Sequence, residues 1–160
     1  MAAQVHYVRF ASTQDRVAQE WLRATQLIVE SGTSALVTPP PDRGRAGSVV
    51  GWRLVSENHR EIARGSRLHP SDRAAGFDAA TLARRATELI VHAARQHQTR
   101  TSRWFAVLDD DIVLVGSRAY ENRVTARNAG ALAVRSLAIL GAGADMLSTG
   151  QVPPEGEPAT

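Results

Sequence analysis

RWFAVLDDDIVLVGSRAYENRVTARN, residues 103–128, decides how this chain is read. Two short runs, Arg103 to Leu108 and Ile112 to Ser117, are rich in apolar and β-branched residues. Asp109-Asp110-Asp111 separates them, which is the signature of a β-hairpin. A helix is expected next, from about Arg123 to Leu140. Val124, Ala131, Leu132, Ala138 and Ile139 fall on one face of it. Gly141, in Gly141-Ala142-Gly143-Ala144, is expected to end it as a C-terminal cap.

Working outward, the same order recurs upstream. VVGWRLV (residues 49–55) reads as a strand, SENHR (56–60) as a turn and EIARGS (61–66) as a second strand. A helix is expected from about Ala79 to Gln96, with Leu82, Ala86, Leu89, Ile90 and Ala93 on one face. Trp52 and Trp104 open the two hairpins, and Gly-Ser-Arg closes both, at 65–67 and 116–118. Each helix is expected to begin near a threonine with an early arginine, Thr81 with Arg84 and Thr125 with Arg127. The first copy then carries about eight extra residues before its helix, including His69-Pro70-Ser71-Asp72. A lone hairpin with one helix cannot cover its own apolar face, so two copies are expected to share one sheet and one core. The expected class is α+β: tandem hairpin or three-strand-plus-helix repeats on one antiparallel sheet, with helices packed on it.

The run from Ser117 to Asn128 resembles the Ser-x-x-Tyr-x-x-Lys-x-x-x-x-Asn pattern of the YegP-like family of small bacterial proteins. Ser117, Tyr120 and Asn128 match, and Arg123 stands where the family has Lys. The family's Asn-Gly turn is replaced here by Asp109-Asp110-Asp111. The first copy has Ser66 but no matching Tyr. The resemblance covers about residues 50–140. It implies tandem three-strand-plus-helix units on one antiparallel sheet, often as a dimer. It implies no established activity and carries over no catalytic residue.

Upstream of the first hairpin, residues 4–12 alternate, with Val5 and Tyr7 on one side and His6, Val8 and Phe10 on the other. That is a strand. Thr13 is expected to cap a helix running to about Glu30, with Val17, Trp21, Ala24, Leu27 and Ile28 as its buried stripe. Residues 1–37 are thus a strand and helix, either a partial third copy or a cover for the sheet. Residues 38–48, with three prolines and two glycines, read as a linker. Residues 49–98 and 99–142 hold the two copies, and 143–160 is expected to be a flexible tail.

The chain has 160 residues and no cysteine, which excludes disulfides, thiolate metal sites and a cysteine nucleophile. No signal peptide is expected at the N-terminus, and no stretch approaches the roughly 18 apolar residues that span a bilayer. The expected location is cytoplasmic. All 19 basic residues are arginine, for a net charge of +3. Residues 43–135 carry 16 of them against nine acids, so an anionic partner is one reading and solvated faces the other.

Residues with catalytic or metal-binding chemistry do not fall into recognised spacings. Asp109-Asp110-Asp111 reads as a polar turn, since adjacent carboxylates diverge. The five histidines lack the i, i+4 spacing of a helical metal site. His69-Pro70-Ser71-Asp72 has triad residue types, but neighbours in sequence cannot take the required geometry. No catalytic residue, metal or cofactor is expected. Arg53, Arg95, Arg100 and Arg103 are the candidate anion or nucleic-acid contacts. Trp52, Trp104 and Tyr120 are read as core or interface aromatics rather than base-stacking platforms. The leading reading is a non-catalytic accessory or interaction module of unknown protein partner, expected to form a homodimer. A nucleic-acid binder using the arginine-rich middle ranks second, and an enzyme with a site at a subunit cleft third.

Overall fold

The computed structural model describes residues 3–30 and 47–148. One antiparallel sheet of six strands runs through it. The strands are β1 (Gln4–Phe10), β2 (Val49–Val55), β3 (Glu61–Gly65), β4 (Ile90–Gln96), β5 (Thr101–Leu108) and β6 (Asp111–Gly116). Their spatial order is β1-β2-β3-β6-β5-β4. The helices are α1 (Arg16–Glu30), α2 (Asp72–Arg84) and α3 (Arg123–Ser148). The fold is therefore α+β with helices on the sheet. Alternation along the strands sends Trp52, Leu54, Trp104, Ala106 and Leu114 into a core shared with α2 and α3. It sends Phe105, Val107 and Val115 to the opposite face, beneath Ile28 of α1, and the register shift at Val107 turns Ile112 to that face as well. The helix after the first strand thus covers the sheet.

The two halves of the sheet match in detail. In each, a Trp strand pairs with an outer strand, Tyr7 opposite Trp52 and Ala93 opposite Trp104. At the centre, Ala63 pairs with Gly116, Arg64 with Val115 and Gly65 with Leu114, a register unchanged when the halves are exchanged. A Cβ added at Gly65 would lie 2.5 Å from Trp52 Nε1, and one at Gly116 would lie 2.5 Å from Trp104 Nε1. The glycine of each Gly-Ser-Arg is thus the space into which the neighbouring indole fits. After it, His69 bridges Val50 and Tyr120 bridges Ser102. Ser71 Oγ then caps α2 by accepting from Ala74 N at 3.1 Å, and Asn122 Oδ1 caps α3 by accepting from Thr125 N at 2.8 Å.

This geometry corrects the expected helix over 79–96. The Ser71 cap starts α2 at Asp72, so His69 to Asp72 are no insertion, and Thr81 lies late in the helix rather than at its start. A 3₁₀ turn, Ala86–Glu88, follows, and the chain then enters β4 as an edge strand. Leu82, Ala86, Leu89, Ile90 and Ala93 satisfy helical spacing by coincidence. β-Branched Ile90 and Val91 suit a strand, and pairing with β5 over seven residues decides the outcome.

Three smaller corrections follow from packing. Asp15 rather than Thr13 caps α1, its Oδ1 accepting from Val17 N at 2.9 Å. The buried stripe of α1 is Ala18, Trp21, Thr25 and Ile28, while Val17 is 55% exposed. Trp21 sets this rotation by lying flat on Gly51, where a Cβ would be 2.7 Å from the ring. Gly141 does not end α3, which continues to Ser148. A Cβ there would lie 2.4 Å from Ala83 O, so Gly141 is where α3 presses against α2. Most of the expected linker and the expected tail from 149 onward lie outside the described residues.

The turns fit their residues. Asp109 and Asp110 both have positive φ, 51° and 66°, as a two-residue hairpin connection requires. Aspartate tolerates that region better than most side chains.

Candidate functional site

Trp52 and Trp104 are 0% and 1% exposed, so neither ring is open to a base or ligand. Trp52 Nε1 donates to Asp78 Oδ2 at 2.7 Å, and Trp21 Nε1 donates to Gly65 O at 3.0 Å. Tyr120 is half-buried at its bridge to Ser102, with the Arg118 guanidinium 5.8 Å from its ring centre.

Several of the groups with catalytic chemistry are engaged in structure. Ser66 is 3% exposed, and its hydroxyl donates to Ile112 O at 2.7 Å, tying β3 to β6. Ser71 is a helix cap, and Asp72 accepts from Arg9 at 2.7 Å. His69 Nε2 lies 3.3 Å from Asp78 Oδ2, an ion-pair distance without hydrogen-bond alignment. Asp109 accepts from Arg85 Nη1 at 3.0 Å, and Asp111 lies 3.6 Å from Arg67. Arg85 also holds Glu88 at 2.9 Å. Its hydrogen bond keeps the Glu88 carboxyl below the usual glutamate range, while Glu88 and then Asp109 raise the guanidinium above its ordinary value. A cleft of about 160 Å³ opens between Ser66, Asp78, Thr81 and Asp109, smaller than the ~300–1,000 Å³ of ordinary ligand sites. Among the described residues, no three His, Asp or Glu side chains are grouped so as to hold a metal ion. No helix among them is long and apolar enough to cross a membrane.

The four candidate arginines divide. Arg53 and Arg103 share the sheet face beneath α1. Arg95 points to the opposite face, in register with Ser102, and Arg100 sits in the β4–β5 turn at φ 54°. The structure adds Arg64, the register partner of Arg53. Arg64 Nη2 donates to Glu61 Oε2 at 2.7 Å, and its guanidinium carbon lies 4.4 Å from the Trp21 ring centre. Arg103 Nη1 donates to Gly116 O at 3.1 Å. Burial holds the Arg103 guanidinium below the usual arginine range; the Arg64 charge adds to this and Glu61 opposes it. The missed signal was alternation: on a strand paired with β2, a residue opposite Arg53 must share its face.

A second surface lies on α3. Its inner face is small, with Ala126, Gly130, Ala133 and Gly141 buried around Leu137. A Cβ at Gly130 would lie 2.8 Å from the Trp104 ring, so the helix can approach the sheet only with small residues there. This reverses the expected faces: Val124, Leu132 and Ile139 are 67%, 60% and 58% exposed. Ala131 is exposed with them, and Ala138 is half-buried beside them. Asn128 and Arg135 are the polar residues within this outer stripe. Comparison of the chain with protein-family models, curated proteins and solved structures finds no match.

Proposed function

We propose that this chain is a non-catalytic interaction module that assembles as a homodimer, with the outer face of α3 as the seam between copies. One observation carries the reading: Val124, Leu132 and Ile139 stand 58–67% exposed on the face of α3 that turns away from the sheet. Three large apolar side chains spaced along one helix face, with Asn128 and Arg135 between them, make a surface suited to a partner. The stripe has a seven-residue rhythm, Val124, Ala131 with Leu132, and Ala138 with Ile139, which is the spacing that packs one helix along another. Ala131 and Ala138 let two helix axes approach closely. A second copy is the favoured occupant because a two-fold axis near Ala131 would set this stripe against itself, large residues filling the spaces beside alanines.

The resemblance to the YegP-like family supports the same reading, since that family is often dimeric. The matched register, glycine–indole contacts and helix caps of the two halves support a duplicated unit, β1β2β3α2 and β4β5β6α3, with α1 inserted into the first. Light scattering at about 100 μM, well above a micromolar dissociation constant, should give twice the 17.3 kDa chain mass. A clean monomer at that concentration contradicts the proposal.

A further inference from the structure

We infer that Arg53, Arg64 and Arg103, on the sheet face beneath α1, form a binding site for a small phosphate-bearing anion. Arg53 and Arg64 are directly opposed across β2 and β3, and Arg103 reaches from β5 toward β6 on the same face. Among the described residues, Glu61 is the one carboxylate paired with any of the three, so the group carries an excess of positive charge. Each Nε is buried and has no hydrogen-bond partner. Thr25, one helical turn beyond the Trp21 that Arg64 covers, is 4% exposed, and its hydroxyl is also without a partner.

Clustering like charges in a half-buried setting costs free energy that a bound anion removes, and unpartnered buried donors add to that cost. The desolvation of Arg103 and its repulsion by Arg64 act in the same direction. Guanidinium groups match phosphate oxygens through paired N–H donors, so phosphate is the anion their geometry favours. A nucleic-acid strand fits less well. Arg95 and Arg100 lie elsewhere, so no continuous basic track follows a backbone.

Isothermal titration of the full chain with inorganic phosphate and with pyrophosphate, at fixed ionic strength, tests the site. Binding is expected below about 10 mM, with pyrophosphate tighter. Arg103→Gln and Arg53→Gln should each weaken it at least about tenfold, the loss of roughly one charge-assisted hydrogen bond. Arg95→Gln, on the opposite face, should change it less than about twofold. Folding of each variant is checked by circular dichroism, and Arg53→Gln serves if Arg103→Gln does not fold. No binding of either anion overturns the proposal, as does equal weakening in Arg95→Gln. Retention of a single-stranded oligonucleotide that persists in Arg103→Gln, without phosphate binding, also overturns it in favour of nucleic acid.

Discussion

Gly65 and Gly116 show how single residues set this fold. Each leaves room for the indole of the adjacent strand, and a methyl group there would lie 2.5 Å from the indole nitrogen. Gly116→Ala should therefore destabilise the chain by roughly 1–3 kcal/mol through overpacking. Gly143→Ala is the matched control, since a Cβ there meets nothing within 4 Å. In a helix it should be neutral or stabilising by up to about 1 kcal/mol. Denaturant midpoints of the two variants measure both effects. Arg85 gives a prediction in pH. Its contact holds the folded Glu88 carboxyl below the ordinary value of 4.5. The stability linked to Glu88 is thus full above that ordinary value and is lost as pH falls through the lower folded value. Arg85→Ala should flatten this part of the acid decline in melting temperature. An unchanged acid limb would show that Arg85 does not hold Glu88 in solution.

At the scale of elements, the hairpins were legible and two other features were not. β2, β3, β5 and β6 could be read because β-branched alternation and polar turns act locally. β4 could not, because Leu89, Ile90 and Ala93 keep the helical spacing that Leu82 and Ala86 begin. What makes them a strand is pairing with Thr101–Leu108, a contact that periodicity does not encode. The faces of α3 were inverted for a related reason. Large residues usually mark the buried side, but here Trp104 fills the space beneath the helix and only Gly130 and its small neighbours fit above it. The large residues are left outside, which is the basis for the proposed seam. Leu132→Arg should place a second positive charge one helical turn from Arg135 in that seam and raise the dimer dissociation constant at least about tenfold, the cost of burying one unpaired charge being several kcal/mol. Its melting temperature measured at low concentration should barely move, since Leu132 is 60% exposed in one copy. Sedimentation velocity separates the two effects.

Across the whole molecule, two unlike surfaces lie on opposite sides of one sheet. The α3 stripe is on the side of the paired tryptophans, and the arginine group is on the side of α1. Of the candidate arginines, Arg53 and Arg103 were legible from composition and strand position. Arg64 became visible only when β3 was placed in register with β2, and Arg95 separated from the group because neighbouring residues on a strand face opposite ways. The absence of cysteine in all 160 residues makes the seam directly testable. An Ala131→Cys variant carries one thiol at the centre of the stripe. Helix axes about 8–10 Å apart bring such thiols within disulfide reach. Under mild oxidation the account predicts a covalent dimer from Ala131→Cys and little from Arg118→Cys, which is exposed in the loop before α3. Equal cross-linking of the two variants, or none from Ala131→Cys, would contradict it.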